Sequence, residues 1–219
     1  MAPAIVELSN QILGDPEKVT IQPKQTTAEK VEQSVFMVNK SDKVKLLVHL
    51  INEKDAKSTL VFSRTKHGAN KIVKKLAHAG VEAEAIHGNK SQNIRVKALN
   101  GFKEGRIKVL VATDIAARGI DVEELSLEIN YDLPNIPETY IHRIGRTGRA
   151  KASGEAISFC DVEERTYLRG IQKLIKQDIP IVENQPFHDT SKEEKTLKMG
   201  SQNRRRNSRQ KLNYRGKRQ

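Results

Sequence analysis

The chain has 219 residues, of which 39 are Lys or Arg and 27 are Asp or Glu, so its formal net charge at pH 7 is +12. The one cysteine, Cys160, excludes an intramolecular disulfide scaffold and a cysteine-rich metal site. No stretch approaches the roughly 18 consecutive apolar residues of a membrane span, and residues 1–13 lack a secretory signal. We therefore expect a cytoplasmic protein that does not associate with membranes, with one α/β domain and appendages.

Positive charge is concentrated at the carboxyl end. Residues 188–219 hold 11 Lys and Arg against 3 Asp and Glu, whereas the first 187 residues hold 28 against 24. From Ser201 onward only Leu212 and Tyr214 have apolar bodies, too few to offset the entropy of ordering the segment. We predict a disordered basic tail over 188–219. A solubilising role is the plainer interpretation, but the arginines favour binding to a polyanion.

The chain begins with a short helix and a linker. Residues 3–13 place apolar side chains on one helical face, which predicts a single amphipathic helix. Residues 14–30 are polar and contain one glycine and two prolines, a composition typical of a linker.

From about residue 35 onward, short apolar strands alternate with amphipathic helices. The pattern predicts strands at 35–38, 59–63, 83–87, 108–112, 127–131 and 155–159. It predicts five helices between and after these strands. The first begins after Ser41 or Asp42, and the second ends at Gly80. The others span 91–104, span 137–144, and run from an Asp161–Glu164 capping box to Lys176. This rhythm predicts a parallel β-sheet with helices on both faces.

Two segments that follow predicted strands are rich in charge and glycine, where parallel sheets usually bind ligands. Residues 113–121 read TDIAARGID. A capping turn, with Thr113 or Asp114 starting a short helix, explains the first half but leaves Arg118 and Asp121 without a role.

The second segment, residues 140–149, reads YIHRIGRTGR and contains three arginines spaced by three. A solvated basic face is the plainer interpretation of such a run. However, neighbouring cations repel one another unless an anion lies between them, and the interleaved glycines permit close backbone approach. The segment therefore favours a polyphosphate ligand.

Several motifs resemble those of DEAD-box RNA helicases, in the same order and spacing. ATDIAARGID at 112–121 resembles motif V, HRIGRTGR at 142–149 resembles motif VI, and LVFSRTK at 60–66 resembles motif IV. His87-Gly88 and Gln92-x-x-Arg95 are similar to the HG and QxxR elements of the family. The resemblance covers about residues 30–180 and implies a RecA-like parallel sheet. Overall, the sequence is similar to bacterial helicases of the RhlE kind.

Two elements of the family are absent from this sequence. Neither a G-x-x-x-x-G-K-[ST] loop nor a D-E-A-D tetrad occurs. In the family these lie in an amino-terminal RecA-like domain that binds ATP and Mg²⁺. The resemblance therefore implies that residues 31–187 form the carboxy-terminal RecA-like domain. We expect residues 1–30 to be the last helix of the preceding domain plus the linker, and 188–219 to be the basic tail.

The resemblance also implies roles for individual residues. Arg146 and Arg149 match the arginine fingers, and with Gly119 and Asp121 they form the implied ATP-binding set. The implied RNA-backbone contacts are Thr65, Gly88, Arg95 and Thr113, and the implied interdomain residues are Arg118, His142 and Arg143. No metal ligand is implied on this chain.

We therefore expect the carboxy-terminal half of an ATP-dependent RNA helicase. It would be a monomer that acts on single-stranded or duplex RNA, with ATP hydrolysis and Mg²⁺ binding dependent on the amino-terminal domain. The alternative is a stand-alone RNA-binding module that acts through its basic tail. A small-molecule enzyme on the same kind of sheet lacks an identifiable nucleophile–base pair and a G-x-G-x-x-G motif.

Overall fold

The computed structural model describes residues 3–13, 31–117, 125–145 and 154–189. Six parallel strands form one sheet in the order β1-β6-β5-β2-β4-β3. The strands are β1 (Val31–Met37), β2 (Thr59–Phe62), β3 (Ala83–Ile86), β4 (Val109–Ala112), β5 (Leu127–Asn130) and β6 (Gly154–Cys160). The predicted α/β class and parallel sheet are confirmed.

Helices cover both faces of the sheet, as predicted. The described helices are α1 (Pro3–Ile12), α2 (Lys43–Lys54), α3 (Lys66–His78), α4 (Gln92–Lys103), α5 (Asp114–Ala117), α6 (Pro137–Ile144) and α7 (Arg165–Ile175), of which α2 to α7 pack on the sheet. The apolar faces of α2 and α3 pack on one side of the sheet. On the other side, α4 and α5 cover the β2–β4–β3 half, and α6 and α7 cover the β1–β6 half. No helix in the described ranges is long and apolar enough to span a membrane.

Several helix ends follow the local chemistry of the sequence. Thr65 caps α3 and Ser91 caps α4 through their hydroxyls. Gly80 and Gly105 adopt positive φ just after α3 and α4, a conformation that glycine adopts without steric cost. The predicted Asp161–Glu164 capping box is present, but it caps a 3₁₀ turn, Val162–Glu164, that leads into α7. Asp42 precedes α2 without capping it, because its carboxylate pairs with Lys45 instead.

The edge strand β1 is longer than predicted and is covered by the chain that follows α7. It begins at Val31 and pairs with β6 from Gly154 onward. Val35 forms a bridge with Ile181, and Val38 forms one with His188. Asp189 bonds to the backbone of Met37 and to the guanidinium of Arg165, so the structure extends past residue 187.

Candidate functional site at the strand ends

Three of the implied RNA contacts lie directly after adjacent strands. Thr65 follows β2, Thr113 follows β4 and Gly88 follows β3, and these strands are neighbours in the sheet. The Thr113 amide donates a hydrogen bond to the Ile86 carbonyl (3.2 Å), which continues the β3–β4 pairing beyond the strands. The sheet therefore brings Thr65, Thr113 and Gly88 to one edge. We call these three residues, together with Arg95, the strand-end face.

Thr65 is exposed, and the start of α3 holds its hydroxyl in place. The Gly68 amide donates a hydrogen bond to Thr65 Oγ1 (2.9 Å). A Cβ at Gly68 would lie 2.6 Å from Ser63 Oγ and 3.0 Å from Thr65 Oγ1, so glycine is required for this arrangement. The local packing thus presents a hydroxyl to solvent at a defined position.

Gly88 has no comparable structural requirement. Its φ is not positive, and a Cβ there would meet no atom within 4 Å. It is exposed and follows the buried His87. A glycine that neither backbone conformation nor packing requires is compatible with close approach of a ligand to the backbone.

Arg95 lies one turn into α4, where its Nη1 donates a hydrogen bond to Gln92 Oε1 (3.3 Å). The QxxR spacing thus places the two side chains on one helical face, as i,i+3 geometry requires. The glutamine is exposed and the arginine is half-buried.

His87 is a neutral, buried part of this region. Its Nε2 donates a hydrogen bond to Asn70 Oδ1 (3.0 Å), while its buried Nδ1 has no partner among the described residues. Burial lowers the pKa of His87, and the nearby charges of Lys90 and Lys66 lower it further. The site therefore disfavours the imidazolium form.

Arg143 is held within its own domain. Its guanidinium forms a bidentate pair with Asp114, through Nε to Oδ1 (2.6 Å) and Nη2 to Oδ2 (3.0 Å). Nη1 also donates to Asn130 Oδ1 (3.0 Å) and to the Asp132 carbonyl (2.7 Å), and the guanidinium carbon lies 4.8 Å from the Phe62 ring centre. The residue is only 2% exposed. Its implied interdomain role stays a prediction.

The exposed His142 precedes Arg143 on α6. It borders a small cavity of about 80 Å³ together with Asp114, Ile115 and Thr139. Ile115 is 80% exposed, which is unusual for an apolar side chain of this size. The predicted short helix after Thr113 is present as α5, so Asp114 both begins that helix and pairs with Arg143.

A second set of charges, centred on the buried Lys43, Asp161 and Glu164, lies beside the first and was missed by sequence reasoning. We call it the Lys43 cluster; its members are Lys43, Arg64, Asp132, Asp161 and Glu164. The Glu164 carboxylate pairs with Lys43 Nζ (2.5 Å) and with Arg64 Nη2 (2.6 Å). Lys43 Nζ also lies 3.2 Å from Asp161 Oδ2. Asp132 Oδ2 accepts hydrogen bonds from Ser63 Oγ (3.0 Å) and the Arg64 amide (2.9 Å).

The Lys43 cluster fixes the loop that carries Thr65. Burial raises the pKa of the Glu164 carboxyl, an effect that the Lys43 charge opposes. The Asp161–Glu164 pair was predicted only as a helix cap. The signal available in the sequence was the presence of charged residues directly after β2, β5 and β6, which parallel strands bring to one edge.

Five implied site residues, Arg118, Gly119, Asp121, Arg146 and Arg149, lie outside the described residues, as does most of the predicted tail. Within the described ranges, no group of three His, Cys, Asp or Glu side chains could hold a metal ion. Cys160 is buried, and burial raises its pKa to about 12, which argues against a nucleophilic thiol.

Comparison with known proteins agrees with these observations. The family described as "Helicase conserved C-terminal domain" matches residues 42–151. The RNA helicase CrhR of Synechocystis sp. is 43% identical over 178 residues, which are 81% of this chain and 36% of CrhR. The chain spans less than half the length of the curated relatives it matches.

Solved structures show the same similarity. The structure of S. cerevisiae Dbp5 bound to RNA and ADP BeF3 matches with a TM-score of 0.73 and 33% identity, over 91% of this chain and 52% of that one. The E. coli DEAD-box protein SrmB, bound to regulator of ribonuclease activity A, matches with a TM-score of 0.67 and 35% identity. That match covers 69% of this chain and 90% of the SrmB chain.

Proposed function

This chain belongs to the DEAD-box RNA helicases as their carboxy-terminal RecA-like domain, and from that premise we propose that it serves ATP-dependent unwinding of RNA duplexes. In this proposal the strand-end face binds the RNA backbone, and Arg146 and Arg149 act on ATP held by an amino-terminal RecA-like domain. The chain alone would then not hydrolyse ATP. We propose a cytoplasmic monomer; similarity to the RhlE kind stays a prediction.

The observation that carries this proposal is the convergence of Thr65, Thr113 and Gly88 on one edge of the sheet. A hydroxyl, a backbone amide and the guanidinium of Arg95 suit contacts to phosphate and sugar, which do not depend on base sequence. Such contacts fit an enzyme that moves along or separates strands of any sequence.

The Arg143–Asp114 pair supports a positioning role next to the implied ATP site. Arg143 lies near the end of α6, three residues before Arg146, and its bidentate pair joins α6 to the start of α5. A buried pair of this kind restricts the starting position of the segment that follows. We propose that Arg143 positions Arg146 and Arg149, with ATP as their substrate and Mg²⁺ held by the other domain.

The test adds an amino-terminal DEAD-box domain, in trans or by fusion, and measures ATP hydrolysis with and without single-stranded RNA. We expect RNA-stimulated hydrolysis only when both domains are present. Turnover above background by the 219-residue chain alone would contradict the proposal. If the chain instead binds RNA but never supports hydrolysis, the alternative of a stand-alone module that acts through its tail is favoured.

A further inference from the structure

A basic groove runs between α2 and α3 below the strand-end face. It encloses about 280 Å³, and five basic side chains line it: Lys40, Lys43, Arg64, Lys71 and Lys75. Asp132 is the one acidic residue in its lining. We call it the α3 groove. Thr65 also lines it, so the groove begins at an implied RNA contact.

The five cations in this groove are of three kinds, and the first is Lys40, which pairs with Glu163 at the exposed surface. Lys43 and Arg64 belong to the Lys43 cluster and already contact Glu164. Lys71 and Lys75 are exposed on α3 and have no ion pair or hydrogen bond within the described part of the chain. Their charge is therefore available to a ligand.

The helix itself carries no compensating charge. Residues 66–78 include four lysines and two histidines but no Asp or Glu. The single acid of the lining, Asp132, accepts hydrogen bonds from Ser63 and the Arg64 amide, which direct one carboxylate oxygen into the domain. The exposed Glu163 pairs with Lys40 but does not line the groove. A polyanion in the groove would thus meet Lys71 and Lys75 without an exposed carboxylate in the groove lining.

We propose that the α3 groove binds the phosphate backbone of single-stranded RNA that continues past Thr65. From Thr65 to Lys75 is about 15 Å along the helix, and Lys71 and Lys75 are about 6 Å apart along it, so they can contact successive parts of one strand. This inference rests on the proposed function, because it extends the strand-end face into a longer track.

The test compares two double variants of the full chain. Lys71→Gln with Lys75→Gln removes two charges in the α3 groove. Arg169→Gln with Lys173→Gln removes two exposed charges at the same i,i+4 spacing on α7, on the opposite face of the sheet. Affinity for single-stranded RNA is measured by fluorescence anisotropy over a range of salt concentrations.

We expect the groove variant to lower the salt dependence, the slope of log K against log salt, by about 1.4 if each lysine neutralises one phosphate. This corresponds to about 25-fold weaker binding at 0.1 M salt, whereas the α7 variant should change little. In the unmodified chain, RNA should also protect Lys71 and Lys75 from acetylation, as read by mass spectrometry, while Lys173 stays reactive.

A third variant separates this inference from the proposed function. In one outcome, Arg95→Gln weakens RNA binding, the groove variant binds RNA as well as the α7 variant does, and RNA does not protect Lys71 and Lys75 from acetylation. The groove proposal is then overturned and the strand-end face stands. If only the groove variant weakens binding, the groove is supported and the strand-end face is contradicted. If polyglutamate but not RNA protects the two lysines, the groove is a protein-docking surface and our proposal is wrong.

Discussion

Two groups of cations lie near the same end of the sheet and differ in the source of their counter-charge. Lys43, Arg64 and Arg143 contact carboxylates of their own domain. Lys71 and Lys75 contact none among the described residues. Lys43 and Arg143 are buried, and removing a cation from water is costly unless a carboxylate compensates it, so they need internal partners. Arg64 is exposed but serves as a partner of the buried Glu164. Lys71 and Lys75 remain hydrated, and their charge can serve a ligand.

Whether a cation contacts a carboxylate of its own domain thus separates structural cations from cations that can bind a ligand. The sequence alone shows only lysine and arginine at both kinds of position. Arg143 lies in a motif that the resemblance assigns to ATP and interdomain contacts, yet its hydrogen-bond partners Asp114, Asn130 and Asp132 all belong to this domain. Lys71 and Lys75 belong to no motif, yet they line a groove that begins at an implied RNA contact.

The largest effect is expected at Arg146 and Arg149, which should behave as ligand-binding cations. In the two-domain protein, Arg146→Ala or Arg149→Ala should lower ATP turnover by roughly 10³-fold or more, the scale of other arginine fingers. ATP affinity should fall far less, because the contact matters most when charge moves in the transition state. Steady-state kinetics and nucleotide titration measure both, and near-normal turnover would remove these residues from the catalytic role.

The next largest effect is expected in the Lys43 cluster. Glu164→Gln removes the carboxylate shared by Lys43 and Arg64, and breaking a buried pair of this kind costs about 3 kcal/mol of stability. Urea denaturation followed by circular dichroism measures the change. Glu163→Gln is the matched control, because the adjacent Glu163 pairs with Lys40 at the exposed surface and its loss should not measurably alter stability. Equal effects of the two substitutions would contradict the structural role of Glu164.

A smaller effect, on RNA binding alone, is expected from the tail. The deletion should begin at residue 190, because His188 and Asp189 bond to β1. Residues 190–219 contain 11 Lys and Arg against 2 Asp and Glu, so their loss should weaken RNA binding and flatten its salt dependence. ATP hydrolysis by the two-domain protein at saturating RNA should stay nearly unchanged. An unaltered salt slope would indicate that the tail is a solubilising appendage.

The smallest effect is expected from His87. Its pKa is lowered in the folded state, so the unfolded chain binds the proton more readily. The stability that this contributes is fully present above the unfolded pKa of about 6.5 and is lost as the pH falls through the lowered folded value. Thermal unfolding between pH 7.5 and 5 should show this loss, and His87→Gln should reduce it. His78→Gln removes an exposed histidine at the far end of α3 that is not among the groups lowering the pKa of His87, and it should leave the pH dependence intact.

The order and type of the elements could be predicted from the sequence because their signals are local. Apolar periodicity, the capping box at Asp161 and Glu164, and Pro137 at the start of α6 each act within a few residues. The polar first half of β1 lacks such a local signal. Val31–Met37 is a strand because it pairs with β6, which lies more than a hundred residues away in the sequence. Its cover by residues 181–189 depends on the same tertiary neighbourhood.

The sequence by itself determined the fold class, the family motifs and the residues that follow the strands. Only the tertiary structure decided which charges are partners: Lys43 and Glu164 are 121 positions apart, Arg64 and Glu164 are 100 apart, and Arg143 and Asp114 are 29 apart. The strand order β1-β6-β5-β2-β4 brings the segments that follow these strands together at one edge. Burial then makes each pairing necessary, because an enclosed charge without its partner loses hydration and gains nothing in return. On α3, where the side chains stay in water, no such selection acts on Lys71 and Lys75.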